Sequence, residues 1–275
     1  MTVDVKRVAA DLAAEQEVLD AVVSALDDDQ WRLDTPSAGW TIADQIGHLT
    51  YFDGVAAQAI EDPQGFAASR DELMAASLDG GADAAEDFML GRYRAMAPPE
   101  LLAAWRDNRS RLARAAAGLS DGDRIEWYGP SMGAKSFLTA RLMETWAHGQ
   151  DVLDAARSAG VHARREPTDR LRHIAQLGVI TRAWSYLNRG LDVPEDEVRV
   201  ELEAPSGDTW TWGPDNATDV VRGPAEDFCL VVTQRRHPHD TRLAVQGDLA
   251  RDWLAHAQAF AGPPTEGPVA TSLPE

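Results

Sequence analysis

Cysteine is almost absent from this sequence, which has Cys229 and no other among its 275 residues. A single thiol excludes an intramolecular disulfide and a zinc site built from several thiolates. Cys229 lies in the apolar run from Phe228 to Val232, which predicts a buried packing residue and not a nucleophile. We therefore expect any catalytic chemistry to depend on groups other than a cysteine of the chain.

Positive charge is also scarce, since 26 lysines and arginines face 45 acidic residues and give a net charge of -19. Such a surface repels the phosphates of nucleic acids and anionic lipid headgroups. The sequence has no run of 18 apolar residues, and its first residues lack the apolar core of a secretion signal. We expect a soluble, cytoplasmic protein without nucleic-acid or membrane partners.

Apolar residues recur at helical spacing through the first two thirds of the chain, beginning with Val5, Val8 and Leu12. This periodicity predicts amphipathic helices that pack around a shared core. Thr41 is expected to cap the second helix, with Asp44 three positions later. The pattern predicts a four-helix bundle with a long middle connection, from helices at 3–27, 41–61, 66–80, 82–97, 99–119 and 133–159.

After one more predicted helix, over 168–189, the apolar period changes from 3.6 to 2. Val198, Val200 and Leu202 alternate with charged residues, which is typical of a half-buried strand. Pro224 is expected at the first position of a helix, and Asp248 is expected to cap the last one. Further strands are predicted at 210–212, 220–221 and 243–245, and the last helix is expected to end at 261–262.

The predicted fold class is therefore mainly α, with a helical bundle followed by a small α+β domain. We place the bundle at residues 1–165 and the small domain at 166–262. Residues 263–275, which are rich in proline and small polar residues, are expected to form a disordered tail.

Two helices carry residues that suit a divalent metal. Glu144 and His148 are four positions apart, so they share one face of the predicted helix 133–159. His48 shares a stripe with Tyr51 and Phe52, which indicates that it points into the bundle. Two nitrogens and one oxygen suit zinc with an open fourth position, although nickel, cobalt, iron or manganese would also bind. The alternative interpretation is a core histidine and a separate Glu–His surface pair.

Three neighbours of these residues have two interpretations each. Asp44 is one turn before His48, so it would either orient the imidazole or cap the helix. Asp151 is three positions after His148 and would support that ligand or act as an acid–base residue. Arg141 is three positions before Glu144 and would pair with that carboxylate, in the site or in a purely structural role.

Two segments resemble a known family. Residues 39–49, GWTIADQIGHL, resemble the second helix of DinB-like bundle proteins. Residues 141–152, RLMETWAHGQDV, are similar to the ligand helix of the mycothiol-dependent maleylpyruvate isomerase family within that superfamily. The resemblance implies that His48, Glu144 and His148 bind a divalent metal, usually zinc. It extends to the small second domain, through residues 245–262.

The resemblance also implies a function. Mycothiol, the low-molecular-weight thiol of actinobacteria, would be the cofactor, and the metal would remove the proton of its thiol. The thiolate would then add to a small electrophile and leave again, as in cis–trans isomerisation, or displace a group, as in transfer. Arg222, before the predicted helix at 223–224, would contact an anion in the cleft between the domains, with Arg235 and Arg236 as alternatives.

Two other functions fit the same residues. A metal-dependent hydrolase would activate water and would need a base such as Asp151 or Asp44. A metal- or ligand-binding protein would use the site without turnover. The sequence does not identify the substrate, whose specificity we expect to depend on Tyr51, Trp127, Tyr128 and Trp184.

Overall fold

The computed structural model describes residues 4–271. Contacts between residues divide the chain into two units, Met1–Arg165 and Glu166–Glu275. None of the helices described combines the length and the apolar character that a membrane crossing requires. The first unit contains helices α1 to α5, at Val5–Val23, Ile42–Glu61, Pro63–Arg94, Pro98–Ala117 and Ala134–Ser158.

Four of these helices, α1, α2, α4 and α5, pack together as a bundle, and α3 packs against α2. Short strands β1 (Arg124–Ile125) and β2 (Met132–Gly133) pair antiparallel just before α5 begins. The mainly α class and the four-helix bundle are thus confirmed. The bundle core includes side chains from all four helices and from a 3-10 turn, among them Leu19, Val23, Trp31, Ile42, Ile46, Leu49, Leu101, Trp105 and Val152.

Local signals explain where the helices begin. Thr41 caps α2, and its side chain and that of Asp44 form the expected capping box. Asp62 caps α3, which has proline at its first position. The predicted separate helices at 66–80 and 82–97 are instead one run from 63 to 94 with a kink at Gly81, whose φ is 73°. Glycine adopts that backbone conformation at little steric cost, so the chain changes direction there without a loop.

One buried carboxylate connects all four bundle helices. Asp53 on α2 is fully buried and accepts hydrogen bonds from Gln16 of α1 (2.9 Å), Trp105 of α4 (3.2 Å) and Arg141 of α5 (2.9 Å). Arg141 is itself 3% exposed and forms the ion pair with Asp53, not with Glu144. The contact fixes α2 against α5, the two helices that carry the predicted metal ligands.

The second unit is a small α+β arrangement, as expected. Its elements are α6 (Leu171–Ile180), α7 (Arg182–Leu187), β3 (Val198–Glu203), β4 (Thr209–Trp212), β5 (Asp219–Pro224), α8 (Ala225–Val232), β6 (Ala244–Gln246) and α9 (Asp248–His256). The four strands form one sheet of order β4-β3-β5-β6, in which β3 and β5 are parallel and the outer pairs are antiparallel. Helices α6 and α8 approach closely, since a Cβ added at Gly178 would lie 2.8 Å from Val232.

Several predicted boundaries in this unit were wrong. The expected helix 168–189 is two helices, α6 and α7, that are separated at Thr181. Pro224 ends β5 and is the N-cap of α8 rather than its first residue. Gly247, not Asp248, is the N-cap of α9, which ends at His256. Residues 263–271 contain no helix or strand, and the rest of the expected tail, 272–275, lies outside the described residues.

Removal of the charge of Asp53 tests its role in the bundle. We expect Asp53→Asn to lower the free energy of unfolding by about 3 kcal/mol or more, because Arg141 is left as a buried, unpaired cation. The measurement is urea denaturation of the metal-free protein. Glu61→Gln is the matched control, since Glu61 of α2 pairs with Arg111 of α4 at 2.8 Å and both side chains are about 40% exposed. That change should cost about 1 kcal/mol or less, and equal losses in the two variants would contradict the assignment.

Candidate metal centre

The bundle brings His48, Glu144 and His148 together. Nε2 of His148 lies 3.1 Å from Oε2 of Glu144, and Nε2 of His48 lies 3.6 Å from the same oxygen. One ligand atom from each residue falls within 4.8 Å of the others. Ligands about 2.0–2.1 Å from one tetrahedral ion lie roughly 3.3 Å apart, so the spacing fits a single zinc-sized ion.

The hydrogen bond of His148 directs its other nitrogen to the centre. Nδ1 of His148 lies 2.5 Å from Oε1 of Gln45, and the Gln45 amide nitrogen donates to Thr35 Oγ1 at 2.9 Å. The amide oxygen therefore accepts the proton of Nδ1, which leaves the lone pair of Nε2 directed at Glu144 in the neutral ring. This is the usual support of a metal-bound histidine.

The electrostatics of the centre favour a cation. Burial opposes ionisation of Glu144, yet its hydrogen bonds with His148 and His48 hold its pKa well below the usual value, so it is a carboxylate. Burial, together with the neighbouring imidazole of His148, lowers the pKa of His48 from 6.5 to about 4, so the His48 imidazole is neutral at physiological pH. In the neutral Nδ1–H ring, Nε2 of His148 is an acceptor like the carboxylate that it faces, so this pair is satisfied either by a proton on that ring or by a positive ion between the two atoms.

Aromatic rings enclose the two imidazoles. The Trp40 ring stacks on His148, with a centroid distance of 6.0 Å and an interplanar angle of 18°, and lies 5.3 Å from His48. Phe52, one turn after His48 on α2, lies 4.6 Å from it. Trp40 is held in place by its indole nitrogen, which donates to Glu86 of α3 at 2.9 Å. These rings limit access of water to the centre and leave both Nε2 atoms facing Glu144.

Two of the predicted neighbours have structural roles. Asp44 accepts hydrogen bonds from Thr41 and from Arg94 of α3, at 2.6 Å for the latter, so it caps the helix and does not orient His48. Arg141 is engaged by Asp53 and not by Glu144. The sequence analysis missed the role of Gln45 as the hydrogen-bond partner of His148. Its position three residues before His48, on the same face of the helix, could have indicated this role.

The remaining residues singled out in the sequence, Asp151, Arg222 and Cys229, are not among the three candidate ligands. Asp151 follows His148 on α5, is 2% exposed and accepts a hydrogen bond from Ser37 at 3.2 Å. Arg222 lies on β5 in the second unit, where it forms an ion pair with Glu201 at 2.6 Å. Cys229 is fully buried, as its sequence context indicated. The roles of Asp151 and Arg222 in the reaction stay predictions.

Comparison with known families agrees with this geometry. The model of the mycothiol maleylpyruvate isomerase N-terminal domain matches residues 12–153, which include all three candidate ligands. The chain belongs to this family. The resemblance seen in the two ligand helices is thereby confirmed, and with it the DinB-like character of the bundle.

Relatives and solved structures extend over nearly the whole chain. Two uncharacterized proteins, from two strains of Mycobacterium tuberculosis, are each 48% identical to it over 258 residues, which is 94% of this chain and 96% of each relative. The crystal structure of the mycothiol-dependent maleylpyruvate isomerase is 16% identical, with a TM-score of 0.54, and covers 85% of this chain and 90% of that chain. A histidine-to-alanine mutant of that enzyme is 14% identical, with a TM-score of 0.56, over 96% and 97%. At this identity the structures show a shared fold.

A second family model, wyosine base formation, matches residues 194–246. That segment holds the four strands of the sheet and α8 in the second unit. The match thus concerns the small α+β unit and none of the candidate metal ligands.

Replacement of Gln45 tests the support of His148. We expect Gln45→Leu to weaken binding of a divalent metal by about 10- to 100-fold, because the Nδ1 proton of His148 loses its acceptor. Competition with a chromogenic chelator measures the affinity. Gln150→Leu is the control, since Gln150 is an equally buried amide on α5 that bonds to Asp154 and Arg165 instead. Unchanged affinity in Gln45→Leu would refute the support role.

The pKa of His48 predicts how the metal-free protein responds to acid. Between pH 6.5 and about 4 the unfolded chain binds a proton at His48 that the folded chain does not, so stability falls as the pH falls through this window. We expect a loss of up to about 3 kcal/mol, measured by urea denaturation with a chelator present. Glu144 contributes a further loss below its ordinary value of 4.5. A His48→Gln variant should show a smaller slope in the upper window, and an unchanged slope would count against the buried neutral imidazole.

Proposed function

We propose that this protein is a divalent-metal-dependent enzyme that activates a low-molecular-weight thiol, mycothiol, for isomerisation or transfer of a small electrophile. The observation that carries the proposal is the convergence of two imidazole nitrogens and one carboxylate oxygen inside the bundle of a mycothiol maleylpyruvate isomerase family member. Zinc is the metal that this donor set suits best.

The composition of the site supports an external thiol. Cys229 is fully buried in the second unit, so it offers no nucleophile to a substrate. The solved structures of similar fold are those of a mycothiol-dependent maleylpyruvate isomerase and its mutant. A bound divalent metal would coordinate the thiol sulfur and lower its pKa, so that the thiolate forms at neutral pH.

Each residue of the candidate metal centre has a defined part in this proposal. His48, Glu144 and His148 would hold the ion and leave one position for sulfur. Gln45 keeps His148 in the tautomer that ligates through Nε2, and Trp40 shields the ligand side chains from water. The thiolate would then attack the electrophile in a site with little bulk water, where a nucleophile is less solvated.

Two predictions from the sequence, for Arg222 and Asp151, remain part of the proposal. Arg222 would contact an anionic group of substrate or cofactor, which requires that it exchange its partner Glu201 for that group. Asp151 would act in proton transfer if its bond with Ser37 opens. Both roles are separable from metal binding, since neither residue belongs to the ligand set.

A metal-dependent hydrolase is less well supported by the contacts. Asp44, one of the two bases that such an enzyme would use, is engaged by Thr41 and Arg94. A hydrolase would also act at the same rate without the thiol, which makes the two functions experimentally distinct.

Metal analysis together with thiol titration tests the proposal. We expect the purified protein to hold about one divalent ion per chain and to bind mycothiol only when loaded. His48→Ala and His148→Ala should lose most of the metal and the thiol binding while remaining folded by circular dichroism. His256→Ala is the control, since His256 lies on α9 and bonds to Asp252.

Two results would contradict the proposal. One is a full metal content in both ligand variants, because then the ion is held elsewhere. The other is equal mycothiol affinity in metal-loaded and chelator-treated protein, since the sulfur would then not be a ligand.

A further inference from the structure

Large apolar side chains are concentrated on one exposed surface of the second unit. Among the residues that the structure describes, eight such side chains are exposed, and four of them lie within twelve consecutive positions. These four are Ile180, Trp184, Leu187 and Leu191, each between 41% and 62% exposed, and we call them the Trp184 stripe. Scattered apolar residues are ordinary on a protein surface, whereas a group of them in one place marks an interaction surface.

Helical spacing brings three members of the stripe to one side. Ile180 is the last residue of α6, and Trp184 and Leu187 follow it by four and seven positions on α7. This interval returns to the same face of a helix. The break between the two helices is the single residue Thr181, and the N–H of Ser185 still donates to the Thr181 carbonyl at 2.9 Å. The three side chains therefore share one face.

The fourth member is placed by the way in which α7 ends. Gly190 has a φ of 68°, which glycine adopts at little steric cost, and the N–H of Leu191 donates to the carbonyl of Tyr186 at 3.0 Å. The N–H of Gly190 donates to the carbonyl of Leu187 at 3.0 Å in the same turn. This ending holds Leu191 against the last turn of α7, next to the other members of the stripe.

The opposite face of α7 is anchored in the second unit. Ser185 and Tyr186 are both buried. The hydroxyl of Tyr186 donates to Asp252 of α9 at 2.7 Å, and the hydroxyl oxygen of Ser185 accepts from the N–H of Gln258 at 3.1 Å. The stripe is therefore already ordered in the single chain, so a partner that binds it pays little for ordering the helix.

Two arginines border the stripe without a counterion. The guanidinium of Arg182 donates to the backbone carbonyl of Asp196 at 2.9 Å, and that of Arg189 donates to the amide oxygen of Gln258 at 3.4 Å and to the Thr265 carbonyl. All the acceptors of both side chains are neutral. Neither arginine forms an ion pair within residues 4–271, and the buried Nε of each has no acceptor there.

A segment with four carboxylates follows the stripe directly along the chain. Asp192, Glu195, Asp196 and Glu197 are all exposed, and in the described part of the chain none of them forms an ion pair. The bond from Arg182 to the Asp196 carbonyl places this segment beside α7. One surface thus carries an apolar stripe, two cations and four anions, and its cations are not paired with its anions.

A surface of this composition is complementary to itself. In a dimer with two-fold symmetry the same patch of both copies meets, so each type of group must find its complement on an identical surface. Apolar side chains satisfy this condition with each other, and the arginines of one copy satisfy it with the acidic segment of the other. The net charge of -19 opposes anionic partners of other kinds. Repulsion between two copies is screened beyond about 10 Å at roughly 0.1 M salt, so the local charges decide the contact.

From these observations we infer that the Trp184 stripe is the core of a dimer interface and binds the same stripe of a second copy across a two-fold axis. Arg182 and Arg189 of each copy then face segment 192–197 of the other. Four side chains about half exposed offer on the order of 400 Å² per copy, about half of what a standard interface buries on each partner, and the charged rim supplies the remainder. The inference does not depend on the proposed function, since none of these residues is a candidate metal ligand.

Sedimentation of the full-length protein from about 1 to 100 µM tests the interface. We expect the mass to rise with concentration from the 29.9 kDa of one chain to twice that value. Trp184→Glu and Leu187→Glu should each raise the dissociation constant by about 30-fold or more, because they place a charge at the apolar centre. Leu78→Glu is the matched control, since Leu78 is 84% exposed but lies on α3, and it should associate like the wild type.

Reciprocal charge reversal tests the two-fold arrangement. Arg182→Glu alone, and Asp192→Arg with Glu195→Arg in one chain, should each associate more weakly than the wild type, because like charges then face each other. An equimolar mixture of the two variants should recover association as a mixed dimer, detected by native mass spectrometry. Circular dichroism checks the fold of each variant. If Arg182→Glu does not fold, the stripe variants decide the question, since their side chains are exposed.

Three results would overturn the inference. One is a wild type that stays monomeric over the whole concentration range, and another is wild-type association in both stripe variants. The third is a monomer that sediments with neutral phosphatidylcholine vesicles and loses this binding in the stripe variants, because the stripe would then serve a lipid surface. Metal content and mycothiol binding should be the same in all variants, so failure of the proposed function would leave the result of this test unchanged.

Discussion

The carboxylate of Asp53 is the interaction on which the bundle depends. This side chain of α2 accepts hydrogen bonds from a glutamine of α1, a tryptophan of α4 and an arginine of α5. A buried ion pair of this kind adds little net stability compared with apolar packing, but removal of either partner leaves a buried charge without its counterion. Because His48 precedes Asp53 by five residues and Glu144 follows Arg141 by three, the same contact fixes the separation of the ligands.

In the candidate metal centre, unlike at Asp53, the polar groups of the chain do not satisfy one another. Glu144 and Nε2 of His148 are acceptors that face each other in a partly buried site, and such a pair is stable only with a cation between them or a proton on the imidazole. His48 resists protonation because it is buried. The three side chains therefore suit a positive ion, and binding of such an ion would add to the stability of the fold.

The sequence predicted what depends on local patterns. The capping box at Thr41, the strand at Val198 and the spacing of Glu144 and His148 are all encoded within a few residues, and the structure has them. The break at Thr181 and the merging of the helices at Gly81 depend on tertiary packing or on a single backbone angle, which periodicity does not report. The convergence of His48 with the α5 pair was predictable only through the family resemblance, because no spacing rule joins residues about a hundred positions apart.

Along α2, buried polar groups whose hydrogen bonds are all made lie close to one that lacks a partner. Asp44 and Asp53 have all their expected partners and hold the helix to α3, α4 and α5. Between them, Nδ1 of His48 is a buried polar atom without a partner in the part of the chain described. Such an atom lowers stability, so its position between two saturated carboxylates is informative. The carboxylates keep the helix in place and thereby allow His48 to keep an unsatisfied nitrogen.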